Sequence, residues 1–297
     1  MDKIDKEFLF QHLSKTYGDE YLDKIIAGLN KARVTTFRVN VLKSNKEEVE
    51  SSLSSSKISY TNVNNILNAY IVNEGSIKDI DLYQDGEIYI QSLSSMLPPI
   101  VLNPLERDHI LDMAAAPGSK TSQIAALTNN KACITAVEMN PLRAERLKYN
   151  LNKLGVTRTT VLVKDARLLD DFYRFDKILL DAPCSGSGTI NLNEETKQKI
   201  NIDVIKKCQS RQIALLKKGL TLLPKNGELV YSTCSIFKDE NEEVIKKVLN
   251  KNVVLVPIEL PGIANLEFLP SMDGTITVMP NEYFEGFFLA KLKKISS

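Results

Sequence analysis

Short apolar runs alternate along the chain with stretches whose apolar residues recur every three or four positions, and from about residue 106 the alternation is regular. This pattern predicts strand–helix units assembled into a mostly parallel sheet. Seven runs qualify as strands: HILDMAAA (109–116), ACITAVEM (132–139), TTVLVKD (159–165), FDKILLDAP (175–183), GELVYSTC (227–234), VVLVPI (253–258) and GFFLAKLKK (286–294). Helices are predicted over 119–128, 141–155, 203–223 and 239–250. The clearest is 141–155, with Pro141 in its first turn, an apolar stripe of Leu142, Leu147, Leu151 and Leu154, and Gly155 at its end. Upstream the pattern gives two short helices (5–16, 19–29), a strand over 35–42, a helix around 45–54 and strands near 57–63, 69–73 and 87–90. The expectation is a small α+β domain over residues 1–90 followed by an α/β domain over 91–297.

Composition narrows this picture. With 43% hydrophobic and 25% charged residues the chain reads as globular, and its 38 basic against 37 acidic residues lack the basic surplus that announces a nucleic-acid partner. Residues 1–105 carry 11 Lys and Arg against 14 Asp and Glu, whereas the remainder carries 27 against 23, so the first segment is not a basic arm. Four scattered cysteines (Cys133, Cys184, Cys208, Cys234) form no C-x-x-C pair, and His12 and His109 are the only histidines, which argues against a zinc site. The stretch MDKIDKEFLF lacks the apolar core of a signal peptide, and no run reaches about 18 apolar residues. A cytoplasmic monomer with free thiols, no metal and no membrane partner is expected.

The candidate chemistry gathers at the ends of the predicted strands. In LDMAAAPGSK (111–120) a strand end meets a turn of small residues and then a helix start, which lets a ligand approach the backbone and free N–H groups. A phosphate-binding P-loop is excluded because Ala114 and Ser119 stand where its glycines belong. A dinucleotide fingerprint fails because only one glycine is present. A turn for S-adenosylmethionine (SAM) shares the geometry without needing to cradle a pyrophosphate. Glu138, 26 residues after Asp112, ends the second strand where a ribose could be held, and Asp165 ends the third, where an adenine amino group could be. DAPCSGSG (181–188) and YSTCS (231–235) place Cys184 and Cys234 at the fourth and fifth strand ends. Carbon 5 of a pyrimidine becomes nucleophilic when a thiolate adds to C6, so paired strand-end cysteines point to that chemistry. Cys133 and Cys208 read as small buried hydrophobes.

These residues resemble the Sun/RsmB/Nop group of SAM-dependent RNA cytosine-5 methyltransferases. The resemblance rests on FRVNVLK (37–43), QSLSSMLPP (91–99), ILDMAAAPGSKTSQIA (110–125), Glu138 with Arg143, Asp165, ILLDAPCSGSGT (178–189), YSTCSIFKDENEEV (231–244) and EGFFLAKLKK (285–294). It implies a Rossmann-like methyltransferase domain behind a small RNA-contacting domain. It further implies Cys234 as the nucleophile, Cys184 in release of the methylated base, Asp181 at the cytosine edge and Lys120 in the same pocket. SAM would be held by Ala114, Ala115, Ala116, Pro117, Gly118, Ser119, Lys120, Glu138, Arg143, Asp165 and Asp181. Ala114 departs from the family's frequent Cys, and Met279-Pro280 from its Arg-x-x-Pro. The compact layout resembles the archaeal tRNA-directed branch, so tRNA is the preferred substrate and ribosomal RNA the alternative. Arg33, Arg38, Asn40 and Lys43 are the candidate RNA contacts.

Overall fold

The structure is a computed structural model and describes residues 5–194, 199–260 and 262–296. Its first elements are the helices α1 (Lys6–Tyr17) and α2 (Asp19–Leu29). Leu9, Leu13, Ile25 and Leu29 on their inner faces pack against Ile190, Ile205, Ile236 and Phe237, far along the chain. Tyr17 Oη donates to the Ile236 carbonyl at 2.8 Å, and His12 pairs with Asp239 at 2.8 Å.

A small sheet follows, built from β1 (Thr36–Val39), β2 (Ser59–Asn62), β3 (Ala69–Glu74) and β4 (Ile88–Ile90). Between these strands lie α3 (Lys46–Ser55) and the single turn α4 (Asp81–Gln84). The strands pair antiparallel in the order β2-β3-β1-β4. One face carries Phe37, Tyr70, Val72 and Ile88, which bury Val49 and Leu53 of α3. Full burial of each such side chain contributes about 1.5–3 kcal/mol.

Helix α5 (Leu93–Leu102) falls in QSLSSMLPP and was not expected, since Pro98 and Pro99 sit inside it. Pro99 has no N–H for the carbonyl of Ser95, four residues back, and Gln91 Nε2 donates to that carbonyl instead at 3.0 Å. Eight of the ten residues of α5 are buried, so packing outweighs the lost helical bonds.

The large sheet contains β5 (His109–Asp112), β6 (Cys133–Glu138), β7 (Thr159–Val163), β8 (Lys177–Asp181), β9 (Glu228–Thr233), β10 (Val253–Val256), β11 (Phe268–Leu269), β12 (Thr275–Val278) and β13 (Phe287–Lys294). Helices α6 (Ser119–Leu127), α7 (Pro141–Lys153), α8 (Ile202–Leu222) and α9 (Glu242–Lys246) connect them. Strands β7-β6-β5-β8-β9 run parallel, and β13 adds antiparallel to β9. Beyond β13, its first half pairs with β12 and its second half with β10. All seven expected strands are present, in a Rossmann-like arrangement. The hairpin of β11 and β12 is additional, so the sheet has nine strands among the described residues. The expected helix over 239–250 is broken into a 3-10 turn, Lys238–Glu240, and the short α9, because Glu240 and Asn241 turn inward and are fully buried.

Two caps fix helix starts near the site. Asn140 accepts from Arg143 N–H at 3.1 Å with Pro141 in the first turn of α7, and Asn201 accepts from Val204 N–H at 2.9 Å ahead of α8. Strand order reverses between β5 and β8, which opens a crevice at their carboxyl ends.

Candidate active site

A cavity of about 370 Å³ lies at that crevice. β5 and the turn after it supply Asp112, Ala114, Ala115, Ala116 and Pro117, the start of α6 supplies Ser119 and Lys120, β8 supplies Asp181, the residue after β9 is Cys234, and Glu285 lies just before β13. Gly118 holds φ +106°, and a Cβ there would meet Leu147 Cδ1 at 2.9 Å, so the turn requires glycine. Behind the turn, Arg143 donates to the Ala116 carbonyl at 2.8 Å and lies 3.4 Å from Glu138, while Asn150 Nδ2 donates to the Pro117 carbonyl at 2.8 Å. Arg143 therefore holds the turn and is itself paired with Glu138, which also accepts from Asn140 N–H at 2.8 Å, and neither residue lines the cavity. Asp165 does not line it either. Its carboxylate is engaged by the Arg167 side chain, as close as 2.6 Å, and by the Arg167 N–H at 2.9 Å, which holds its carboxyl below the ordinary range.

The polar floor of the cavity is an ordered set of pairs. Lys120 Nζ lies 2.7 Å from Asp181 Oδ2 and donates to Ser95 Oγ at 2.8 Å, while Ser232 Oγ donates to Asp181 Oδ1 at 2.8 Å. Burial opposes the charge on Lys120, but Asp181, with Asp112 and Cys234 adding to it, holds the ammonium above its ordinary value. Asp112 is 1% exposed and accepts from Thr121 Oγ1 at 2.7 Å. Burial is the main cause that pushes its carboxyl up to about 6, despite that hydrogen bond. Ser95 and Ser232 are the residues sequence reasoning did not single out. Both lie within stretches already carrying the resemblance, QSLSSMLPP and YSTCS.

The two cysteines meet. Cys234 lines the cavity, and Cys184 Sγ touches Cys234 Sγ at 3.3 Å. The hydrogen bond to Cys234 and burial push the Cys184 thiol well above its ordinary value, and the charge of Glu240 adds to this. Loop 184–188 is fixed against the β9 end and the β13 start. Gly188 N–H donates to the Cys234 carbonyl at 3.0 Å, and Gly286 N–H donates to the Gly188 carbonyl at 2.9 Å. Cys133 and Cys208 lie outside this site, each half-buried.

Of the expected RNA contacts over residues 33–43, Arg38 and Asn40 need correction, because both are buried. Arg38 is 3% exposed, with Nε donating to Gln91 Oε1 at 2.9 Å and Nη2 to Ser122 Oγ at 2.6 Å, so it ties the small sheet to α6. Asn40 Nδ2 donates to the carbonyls of Gly86 and Leu154 at 2.8 and 2.9 Å. Lys43 Nζ donates to the carbonyls of Lys153, at 3.2 Å, and Asp85. Arg33 Nη1 donates to the carbonyls of Gly28, at 3.1 Å, and Asn281. Arg38 and Asn40 thus hold parts of the protein together, whereas Lys43 stays exposed and Arg33 partly so beside their internal bonds.

A Rossmann-like sheet with a small-residue turn, acids at successive strand ends and a cavity at the reversal point is the architecture of SAM-dependent methyltransferases. The chain belongs to the family described as 16S rRNA methyltransferase RsmB/F, whose profile matches residues 99–293. It is 39% identical to a ribosomal RNA small subunit methyltransferase F of Shewanella piezotolerans, over 71% of this chain and 47% of that protein. It is also 30% identical to a probable ribosomal RNA small subunit methyltransferase B of Bacillus subtilis, over 97% of this chain and 66% of that protein. The chain thus spans about half to two thirds of the length of these relatives. Among solved structures, a methyltransferase homologue from Pyrococcus horikoshii superposes with a TM-score of 0.83 at 33% identity, covering 96% of this chain and 93% of that one. Among the described residues no helix is long and apolar enough to cross a membrane, and no cluster of His, Cys, Asp or Glu is placed to hold a metal ion.

Proposed function

We propose that this chain methylates carbon 5 of cytosine in RNA, with SAM as methyl donor and ribosomal RNA as substrate. The donor set suits SAM. Three carboxylates, Asp112, Asp181 and Glu285, line the cavity against the single lysine Lys120, an environment that suits a cationic sulfonium better than a phosphate. Ala114 to Pro117, Ser119, Asp112 and Asp181 would hold it, with Glu138 and Arg143 bracing the turn. Bound there, it supplies an electrophilic methyl group.

The observation that carries the reading is the cysteine pair beside the Lys120–Asp181 pair. In this mechanism the Cys234 thiolate adds to C6 of a flipped cytosine, which makes C5 nucleophilic. Lys120 offsets negative charge next to the sulfur, and Asp181 faces the polar edge of the base. Once C5 is methylated, its proton passes to solvent water, the C–H electron pair re-forms the C5–C6 double bond, and the C6–S bond breaks with the sulfur departing as thiolate. Cys184, held as the neutral thiol, donates a hydrogen bond to that leaving sulfur.

The choice of ribosomal RNA over tRNA is supported by the family description and the names of the relatives. Incubation with SAM and total RNA followed by bisulfite sequencing tests substrate and position together. Protected cytosines in ribosomal RNA are expected, and protection confined to tRNA would reassign the substrate to tRNA. For the mechanism, Cys184→Ala should accumulate a denaturant-resistant protein–RNA adduct and Cys234→Ala should form none. Normal turnover by Cys184→Ala without an adduct would refute the division of labour.

A further inference from the structure

A buried carboxylate between the cysteine loops touches no reacting atom in these steps. Glu240 is fully buried in the 3-10 turn Lys238–Glu240, a few residues beyond Cys234. Its Oε1 accepts from the Ser185 N–H at 2.8 Å, and its Oε2 accepts from the hydroxyls of Ser185 at 2.5 Å and Ser235 at 2.6 Å. Gln212 of α8 adds a longer contact at 3.4 Å. Ser185 follows Cys184 and Ser235 follows Cys234, so one carboxylate grips the residue next to each sulfur.

All these donors are neutral. A carboxylate buried without a cation costs several kcal/mol, which an apolar side chain of similar volume would not. The arrangement around it is correspondingly complete. Ser187 Oγ and Ser235 Oγ are 2.9 Å apart, Ile236 N–H donates to Ser187 Oγ at 3.0 Å, and Asn241 Nδ2 donates to the Ser235 carbonyl at 2.8 Å. The Ser185 N–H points at Glu240 and has no helix or strand partner, so removing the carboxylate frees loop 184–188 on that side. The turn after β5 shares no hydrogen bond with this network.

We propose that Glu240 is a positioning residue whose two oxygens set the contact between Cys184 and Cys234. The inference rests on the reading of both cysteines as reaction partners. It separates two properties of the site, because cofactor affinity depends on the β5 turn while turnover depends on the sulfur geometry.

The test compares Glu240→Leu and Glu240→Gln in the full chain. Thermal midpoint, SAM affinity by calorimetry, kcat on RNA, and the rate at which diamide, a dithiol oxidant, joins Cys184 to Cys234 are measured. Glu240→Leu is expected to bind SAM like the wild type, to lose kcat roughly 100-fold, as for a misplacement of about 1 Å, and to form the disulfide more slowly than Glu240→Gln, which equally lacks the charge that helps to raise the Cys184 thiol. Glu240→Gln keeps one acceptor for the Ser185 N–H and a donor for the hydroxyls, and should restore most of both rates. Wild-type kcat and disulfide rate in folded Glu240→Leu would overturn the proposal. Should that variant fail to fold, Ser185→Ala with Ser235→Ala removes the two hydroxyl contacts and leaves the Ser185 N–H bond, so a smaller loss of both rates is expected, and wild-type rates in it would overturn the proposal. Cys234→Ala, run alongside, reports on the underlying reading. If it stays active the thiol mechanism falls and the proposal with it, whereas inactive Cys234→Ala with fully active Glu240→Leu sinks the positioning role alone.

Discussion

Asp112 offers a stability test that needs no substrate. Burial raises its carboxyl from 3.8 to about 6, so the folded protein binds this proton more tightly than the unfolded chain. Stability linked to this group is therefore complete below 3.8, is lost as pH rises to about 6, and is constant above. The full difference is about 3 kcal/mol, of which about 2 kcal/mol falls between pH 4.5 and 7.5. Asp112→Asn removes the titration. The substitution also disturbs a hydrogen bond, since Oδ2 accepts from Thr121 at 2.7 Å and Oδ1 from Ala114 N–H at 3.4 Å, and an amide accepts at only one of these atoms. That loss, about 1–3 kcal/mol, is the same at every pH and cancels when two pH values are compared. The assay is thermal unfolding of both proteins at pH 4.5 and 7.5. At roughly 2 °C per kcal/mol for a chain of this length, the difference between variant and wild type should move about 4 °C in the variant's favour on going to the higher pH. A difference that stays constant across the two pH values refutes the raised carboxyl.

Two further variants test how the site is framed. Arg38→Met leaves Gln91 Oε1 without its donor inside the protein and should cost about 1–3 kcal/mol, read as a lower thermal midpoint. The salt dependence of RNA binding should be unchanged, and a slope reduced by about one would return Arg38 to the RNA surface. Gly188→Ala places a Cβ 2.0 Å from the Gly286 carbonyl oxygen, so backbone must move, at about 1–3 kcal/mol. Gly262→Ala, with nothing within 4 Å of the new Cβ, should unfold at the wild-type temperature, and equal midpoints for both would show that the glycine crossing is not tight.

The parallel strands were legible because each is an apolar run closed by an acid or a small-residue turn, as in ILD at 110–112 and ILLDAP at 178–183. The cysteine pair was legible because strand ends in such a sheet share one edge. Helix α5 was hidden by Pro98-Pro99, since a proline pair reads as a break unless the freed carbonyl has another donor, and Gln91 is that donor only in the fold. Strand β11 was hidden by length, at two residues, whereas β12, at four, is as long as the expected β5 and β10 and was not singled out. The destination of Arg38, Asn40 and Lys43 was not legible because a polar side chain on a short strand serves water, RNA or a neighbouring helix end equally well until the partner element is placed. Glu240 was invisible for a related reason. An acid in KDENEE reads as solvated, and its burial follows from two serines that the sheet brings to it.

The position of β13 bears on how the chain reaches this state. Every other strand precedes it in sequence, yet it lies inside the sheet, with β9 on one side and β12 and β10 on the other. Until residues 287–294 arrive, β9 presents an open edge and β10 has no neighbour in the sheet. Such late, long-range pairing belongs to slow folding, with unpaired strand edges exposed while the chain waits. Gly286, at the mouth of this strand, is also the residue on which Gly188 closes, so the sheet and the cysteine loops are completed by the same event.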